Sequence, residues 1–373
     1  MFYHFILPLQ EYLSFLRLFQ YISFRSAYAA LTALVIVLIF GAIVIAWLRR
    51  LRFKEEIRSD GPQSHKAKAG TPTMGGVIIL GAVLISIFLW GNFNSEYLIL
   101  LTVATLVLGS LGFADDYIKS IRKRKGGVPG KLKLVVQLAT AGGVVAGMLV
   151  FPANPEALTQ IYVPFVNEPL VTLSRVAIGG IALDMTWAWV IFAMIVVVGS
   201  SNAVNLTDGL DGLAVGTVLF VAASLAVMCY LSGHVKIASY LKIPYIPDGA
   251  ELTVFLSALC GASLGFLWFN SNPATVFMGD TGSLALGGVI GIVAIMIKKE
   301  IFLFIVGGVF VVEAMSVIIQ VLSFKLTGKR VFKMAPIHHH FELSGWTEQK
   351  VVVRFWILGI ILAILGLSSL KIL

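Results

Sequence analysis

The sequence predicts an all-α polytopic membrane protein of about ten transmembrane helices. Three observations lead there. Of 373 residues, 58% are hydrophobic and only 13% charged, whereas a soluble domain carries about a quarter charged residues. Apolar runs near the ~20 residues that cross a bilayer core as a helix recur along the whole chain. Lys and Arg concentrate in alternate connecting segments, as the positive-inside rule requires of a fixed orientation.

The whole chain, residues 1–373, reads as one integral membrane domain. Residues 1–26 are aromatic-rich, with Arg17 and Arg25 the only basic positions. They are expected to lie in the interface as an amphipathic lead-in, and no small-residue cleavage site marks a removable signal. The expected spans are Ala27–Leu48, Met74–Trp90, Tyr97–Ala114, Leu132–Val150, Thr186–Val204, Leu213–Leu231, Leu252–Phe269, Gly282–Ile297, Ile301–Leu322 and Val352–Leu370. With the N-terminus outside, segments 49–73, 115–131, 205–212, 270–281 and 323–351 are the cytoplasmic loops. The first, second and last of these hold 18 Lys and Arg, against 8 in the outer segments. Both termini then face outward. In the outer segment 151–185, the stretches Ile161–Val166 and Val171–Val176, with Gly179-Gly180 beyond, predict a short periplasmic β-hairpin. Cys229 and Cys260 sit singly in apolar runs, so neither a disulfide nor a thiolate metal site is expected.

Five aspartates from three distant parts of the chain end on the inner side of this topology. Asp115 and Asp116 close the third span. Asp208 and Asp211 follow the fifth, in a stretch that opens at Asn202 and includes Asn205. Asp280 precedes the eighth, in the stretch from Asn270 through Phe277 to Ser283. Ionisable groups at membrane depth are costly and mark functional sites. Adjacent carboxylates repel unless a cation lies between them, and Mg²⁺ favours carboxylate and phosphate oxygens. Glycines beside these acids permit close backbone approach, and helices starting after the loops would aim N–H groups at an anion. If the chain is helical there, Asp208 and Asp211 share one face. Lys119 and Lys131 flank the first acidic pair as candidate phosphate contacts. Gly70-Thr-Pro-Thr73-Met-Gly-Gly76 offers hydroxyls and glycines just after Lys66 and Lys68, a composition suited to phosphate, though it lacks the Gly-Lys-Ser/Thr of a Walker A loop. His338, His339 and His340 are consecutive, so they cannot all ligate one zinc ion from one helix face. Proton transfer or phosphate binding suits them better. Glu313, in mid-span, reads as a buried partner of another polar group.

These motifs together resemble the phospho-N-acetylmuramoyl-pentapeptide transferases, within the polyprenyl-phosphate N-acetylhexosamine-1-phosphate transferase superfamily. The matching stretches are Gly70–Gly76, Phe113–Lys119, Asn202–Ala214, Phe269–Gly288 and Ala335–Glu342, with Gly345-Trp346 and Lys350–Trp356 beyond. The resemblance implies ten transmembrane helices in the bacterial cytoplasmic (inner) membrane, with a cytoplasmic active site, and a homodimer. It implies transfer of phospho-MurNAc-pentapeptide from UDP-MurNAc-pentapeptide to undecaprenyl phosphate with Mg²⁺ as cofactor, giving lipid I and UMP; no nucleic-acid partner is expected. It further implies Asp280 as the Mg²⁺ ligand, Asp115 as the base toward the lipid phosphate, and Asp116 as its close partner. Lys68, Asn205, Asp208, Asn270 and Phe277 match positions lining the nucleotide pocket; Asp211 and Lys131 complete its polar wall; His338 and its two neighbours match the histidine motif. A sister transferase using UDP-GlcNAc is the nearest alternative, disfavoured by Ala335-Pro-Ile-His-His-His-Phe-Glu342. A cation-coupled transporter is the alternative from another class. It would want mid-membrane charges and repeated halves, and no internal repeat is present.

Overall fold

The computed structural model describes the chain apart from residues 1, 2, 4, 6, 52–69, 123–125, 167, 175, 179, 180 and 371–373. Lys68, with most of the basic residues of segment 49–73, lies outside the described residues, as does the Gly179-Gly180 pair. Two 3-10 segments, Leu7–Glu11 and Ser14–Gln20, lead in, with Tyr12 and Phe15 exposed. Helices α1 (Ile22–Arg50), α2 (Gly76–Trp90), α3 (Glu96–Ser120) and α4 (Gly130–Val150) follow. After segment 151–185 come α5 (Thr186–Thr207), α6 (Leu213–Ser232), the short α7 (Val235–Leu241), α8 (Gly249–Asn270) and α9 (Gly279–Met296). The chain ends with α10 (Glu300–Val306), α11 (Gly308–Thr327), the short α12 (Ile337–Glu342) and α13 (Glu348–Ser368). Among the described residues, nine helices are long and apolar enough to cross a membrane, and α2, at 15 residues, is a shorter apolar helix.

The expected ninth span is two helices rather than one. Gly307 separates α10 from α11, which opens on Gly308, because glycine holds a helix weakly and lets it change direction. In segment 151–185 the two expected stretches do pair, over two residues each, and a second small antiparallel ladder follows. The first pairs β1 (Gln160–Ile161) with β2 (Val171–Thr172); the second pairs β3 (Val176–Ile178) with β4 (Ile181–Leu183).

Helix α9 is the axis of the molecule. Its residues from Thr281 to Met296 are all buried, and it packs chiefly against α5 and α3. A second layer is built on α8, which packs against α1 and α6. At the N-terminal ends of α1 and α8, buried Arg25 forms a bidentate pair with Glu251, at 2.8 and 2.5 Å, and also donates to the Trp90 carbonyl. Pairing lets two charges remain below the surface. Gly112 on α3 faces the first turn of α9 so closely that a Cβ there would run into the Asp280 carbonyl oxygen. That approach brings the carboxylates of α3 to the start of α9.

Candidate active site

Asp115 and Asp116 lie on the last turns of α3, which continues to Ser120 rather than ending at Ala114. Asp280 occupies the first turn of α9. One carboxylate oxygen from each of the three lies within 4.8 Å of the others, a grouping able to hold a metal ion. Each acid has a different set of partners. Asp115 is fully buried; its Oδ1 accepts from the Val128 N–H at 2.6 Å, which ties the approach to α4 to the site. Asp116 accepts from the backbone N–H groups of Asp280 (3.1 Å) and Thr281 (2.9 Å) and from the Thr281 hydroxyl (2.7 Å). It therefore caps the N-terminus of α9 from the neighbouring helix, where a carboxylate complements the helix dipole. Those N–H groups, expected to face a phosphate, are taken by Asp116. Asp280 is the most open of the three, and its Oδ1 accepts from Asn205 Nδ2 at 2.9 Å. Asn205 also donates to Ser283 Oγ at 2.8 Å, which fixes the amide across α5 and α9.

Two lysines bridge the acids. Lys119 Nζ lies 2.5 Å from Asp115 Oδ2 and 3.1 Å from Asp280 Oδ2. Lys133 Nζ lies 2.9 and 2.7 Å from the same two oxygens. Two ammonium groups between two carboxylates neutralise a cluster that would otherwise repel itself. Lys131, the position expected here, is exposed at the start of α4. Lys133 takes its place, and the sequence reading had missed it.

The loops at this end of the bundle are stitched together by backbone bonds. Phe277 N–H donates to the Pro72 carbonyl, and the N–H groups of Gly75 and Gly76 donate to the carbonyls of Phe277 and Met278. This brings the stretch from Gly70 to Gly76 beside Asp280 and buries Thr73 against Gly279, next to Asp116. Half-buried Phe277 stands at this junction. Asp208 and Asp211 do not share a helix face, because α5 ends at Thr207 and a turn follows. Asp211 Oδ2 accepts from Asn272 Nδ2 (3.1 Å) and from the Ala274 N–H (3.0 Å). Glu348 Oε1 accepts from the Asp211 N–H, and Asn270 uses its side chain on Gly212 N–H and the Val276 carbonyl. Asp211 and Asn270 thus hold the two loops in register. Asn202 is not brought to the acids: its amide donates to Gln137 Oε1 at 3.0 Å, between α5 and α4. The three histidines point three ways. His338 Nδ1 lies 3.0 Å from Glu313 Oε2, His339 Nδ1 2.8 Å from Glu342 Oε2, and His340 Nδ1 accepts from the Lys333 N–H at 3.1 Å. Each ring nitrogen named here thus has a partner of its own.

Residues 98–298 match the glycosyl transferase family 4 description. That stretch contains the three acids and both bridging lysines, so the chain is a transferase of this class built within a bundle of membrane helices. Residues 68–80 match the phospho-N-acetylmuramoyl-pentapeptide-transferase signature 1. The chain is 52% identical over 367 residues, 96% of each chain, to the phospho-N-acetylmuramoyl-pentapeptide-transferase of Leptospira biflexa serovar Patoc. It is 47% identical over 372 residues, 100% of each chain, to the protein of the same name from Endomicrobium trichonymphae. The chain belongs to the phospho-N-acetylmuramoyl-pentapeptide-transferase family.

Proposed function

We propose that the protein transfers phospho-MurNAc-pentapeptide from UDP-MurNAc-pentapeptide to undecaprenyl phosphate, releasing UMP and forming lipid I, the first membrane step of peptidoglycan synthesis. The observation that carries the reading is the bridged centre, in which Lys119 and Lys133 each span Asp115 and Asp280. Such a centre suits a reaction between two phosphate-bearing anions. An oxygen of the lipid phosphate forms a bond to the sugar-linked phosphorus of the nucleotide diphosphate. The bond from that phosphorus to the bridging oxygen breaks, and UMP leaves with the electron pair. In phosphoryl transfer the protein contributes mainly position and charge.

Lys119 and Lys133 are the groups for the lipid phosphate. Buried Asp115, between them, accepts its proton where one is carried. Asp208 and Phe277 form the nucleotide wall, with Lys68 assigned there by the family resemblance. The donor set fits Mg²⁺: three carboxylates supply hard oxygen ligands in reach of one another. Asp280, the most open of the three acids, would hold the ion as the family resemblance implies, while Asp116 stays on the first turn of α9. Bound Mg²⁺ supplies charge neutralisation for the diphosphate and the leaving nucleotide. The site is assigned to the cytoplasmic face of the inner membrane on the Lys and Arg asymmetry, and a homodimer on the family resemblance.

The test is a transfer assay on purified protein in vesicles containing undecaprenyl phosphate. Label from UDP-MurNAc-pentapeptide should enter the lipid fraction with one UMP released per label, and label from UDP-GlcNAc should not. Transfer from UDP-GlcNAc alone would assign the protein to the sister reaction, and transfer from neither would overturn the reading. The division of labour is tested with the same preparation. Asp115→Asn should bind the nucleotide sugar yet lose turnover, whereas Phe277→Ala or Asp208→Asn should weaken nucleotide binding.

A further inference from the structure

Glu313 is a buried acid that the transfer chemistry leaves unused. It lies in α11, it is fully enclosed, and its Oε2 meets Nδ1 of the equally enclosed His338 at 3.0 Å. Its other oxygen, Oε1, and the other ring nitrogen, His338 Nε2, are buried with no hydrogen-bond partner. His338 Nε2 is pressed against Gly209, where any Cβ would collide with it. Gly209 belongs to the turn between α5 and α6 and directly follows Asp208.

Stability alone does not account for this pair. A buried acid and imidazole with unsatisfied atoms are costly, and apolar residues of similar volume would fill the space at less cost. A carboxylate behind one ring nitrogen does fix the orientation and tautomer of an imidazole. Here that orientation aims the ring at Gly209, a point of the turn that has no side chain. We propose that Glu313 is a positioning residue for nucleotide recognition: it holds His338 as a strut beneath Gly209, and the strut sets the placement of Asp208. This rests on the reading of Asp208 as part of the nucleotide wall.

The test uses full-length protein in the vesicle assay, with KM measured separately for the nucleotide sugar and for undecaprenyl phosphate. Glu313→Leu should raise the nucleotide KM about tenfold or more while kcat and the lipid KM stay within about threefold, a pattern of lost binding rather than lost chemistry. Glu313→Gln keeps an acceptor for Nδ1–H and should restore the nucleotide KM to within about threefold of wild type. Glu313→Leu/His338→Leu should be no worse than His338→Leu, since two parts of one strut are not additive. A wild-type nucleotide KM in Glu313→Leu, a loss confined to kcat, or additive effects would overturn the proposal. If Glu313→Leu fails to fold, the double variant decides: a raised nucleotide KM supports the strut and a wild-type KM refutes it. Transfer by the wild-type protein in the same assay reports on the underlying function independently of these variants.

Discussion

Lys133 shows how a single residue escapes a sequence reading. It stands two positions beyond Lys131, inside the apolar run that forms α4, and so reads as part of a span rather than a loop. Successive helical positions turn by about 100°, so residues two apart face nearly opposite ways. Lys131 therefore faces solvent while Lys133 turns inward to Asp115 and Asp280. Lys133→Ala should lower kcat by about 10²-fold, the usual effect of removing one charge stabiliser from a transfer site. Lys131→Ala should stay within about threefold. Equal losses in steady-state assays would contradict the geometry. The acids Asp115, Asp116 and Asp280 were legible in the sequence because charges ending apolar runs stand out. The bonds of Asp211 and Asn270 between the loops, and of Asn202 to Gln137 on α4, were not, because the type of an amide or carboxylate in sequence does not say which protein group it meets.

At the scale of elements, hydropathy located each span, since run length and composition are what a bilayer selects. It did not show the break at Gly307, because the residues on both sides are equally apolar. Nor did it show that α3 continues through Asp115 and Asp116 to Ser120: the charges suggest a loop, while the pairing of Asp115 with Lys119, one turn apart, supports a helix. Close approach of α3 and α9 depends on Gly112. Gly112→Ala should destabilise the protein by about 3 kcal/mol, as overpacking against backbone does, and activity should fall with it. Gly81→Ala is the control, because a Cβ at Gly81 meets nothing and alanine favours a helix by up to about 1 kcal/mol. Thermal unfolding in detergent should show a lowered Tm for the first variant and an unchanged or raised Tm for the second. The reverse order would mean that the helices do not meet at Gly112.

For the whole molecule, the claim is convergence: acids and lysines on α3, α4 and α9 meet at one end of the bundle. The proposed orientation places that end in the cytoplasm. A membrane-impermeant maleimide added to intact cells should then leave Arg122→Cys unlabelled, and label it after permeabilisation. Labelling in intact cells would invert the topology. Convergence and chemistry are tested together by one measurement, the initial rate of UMP release against Mg²⁺ concentration for wild type and Asp280→Asn in identical vesicles. The wild-type rate should rise from near zero with added Mg²⁺, and the variant should remain about 10³-fold lower at every concentration, a barrier increase of about 4 kcal/mol. A variant that follows the wild-type curve would contradict the assignment of Asp280 and of the centre built around it.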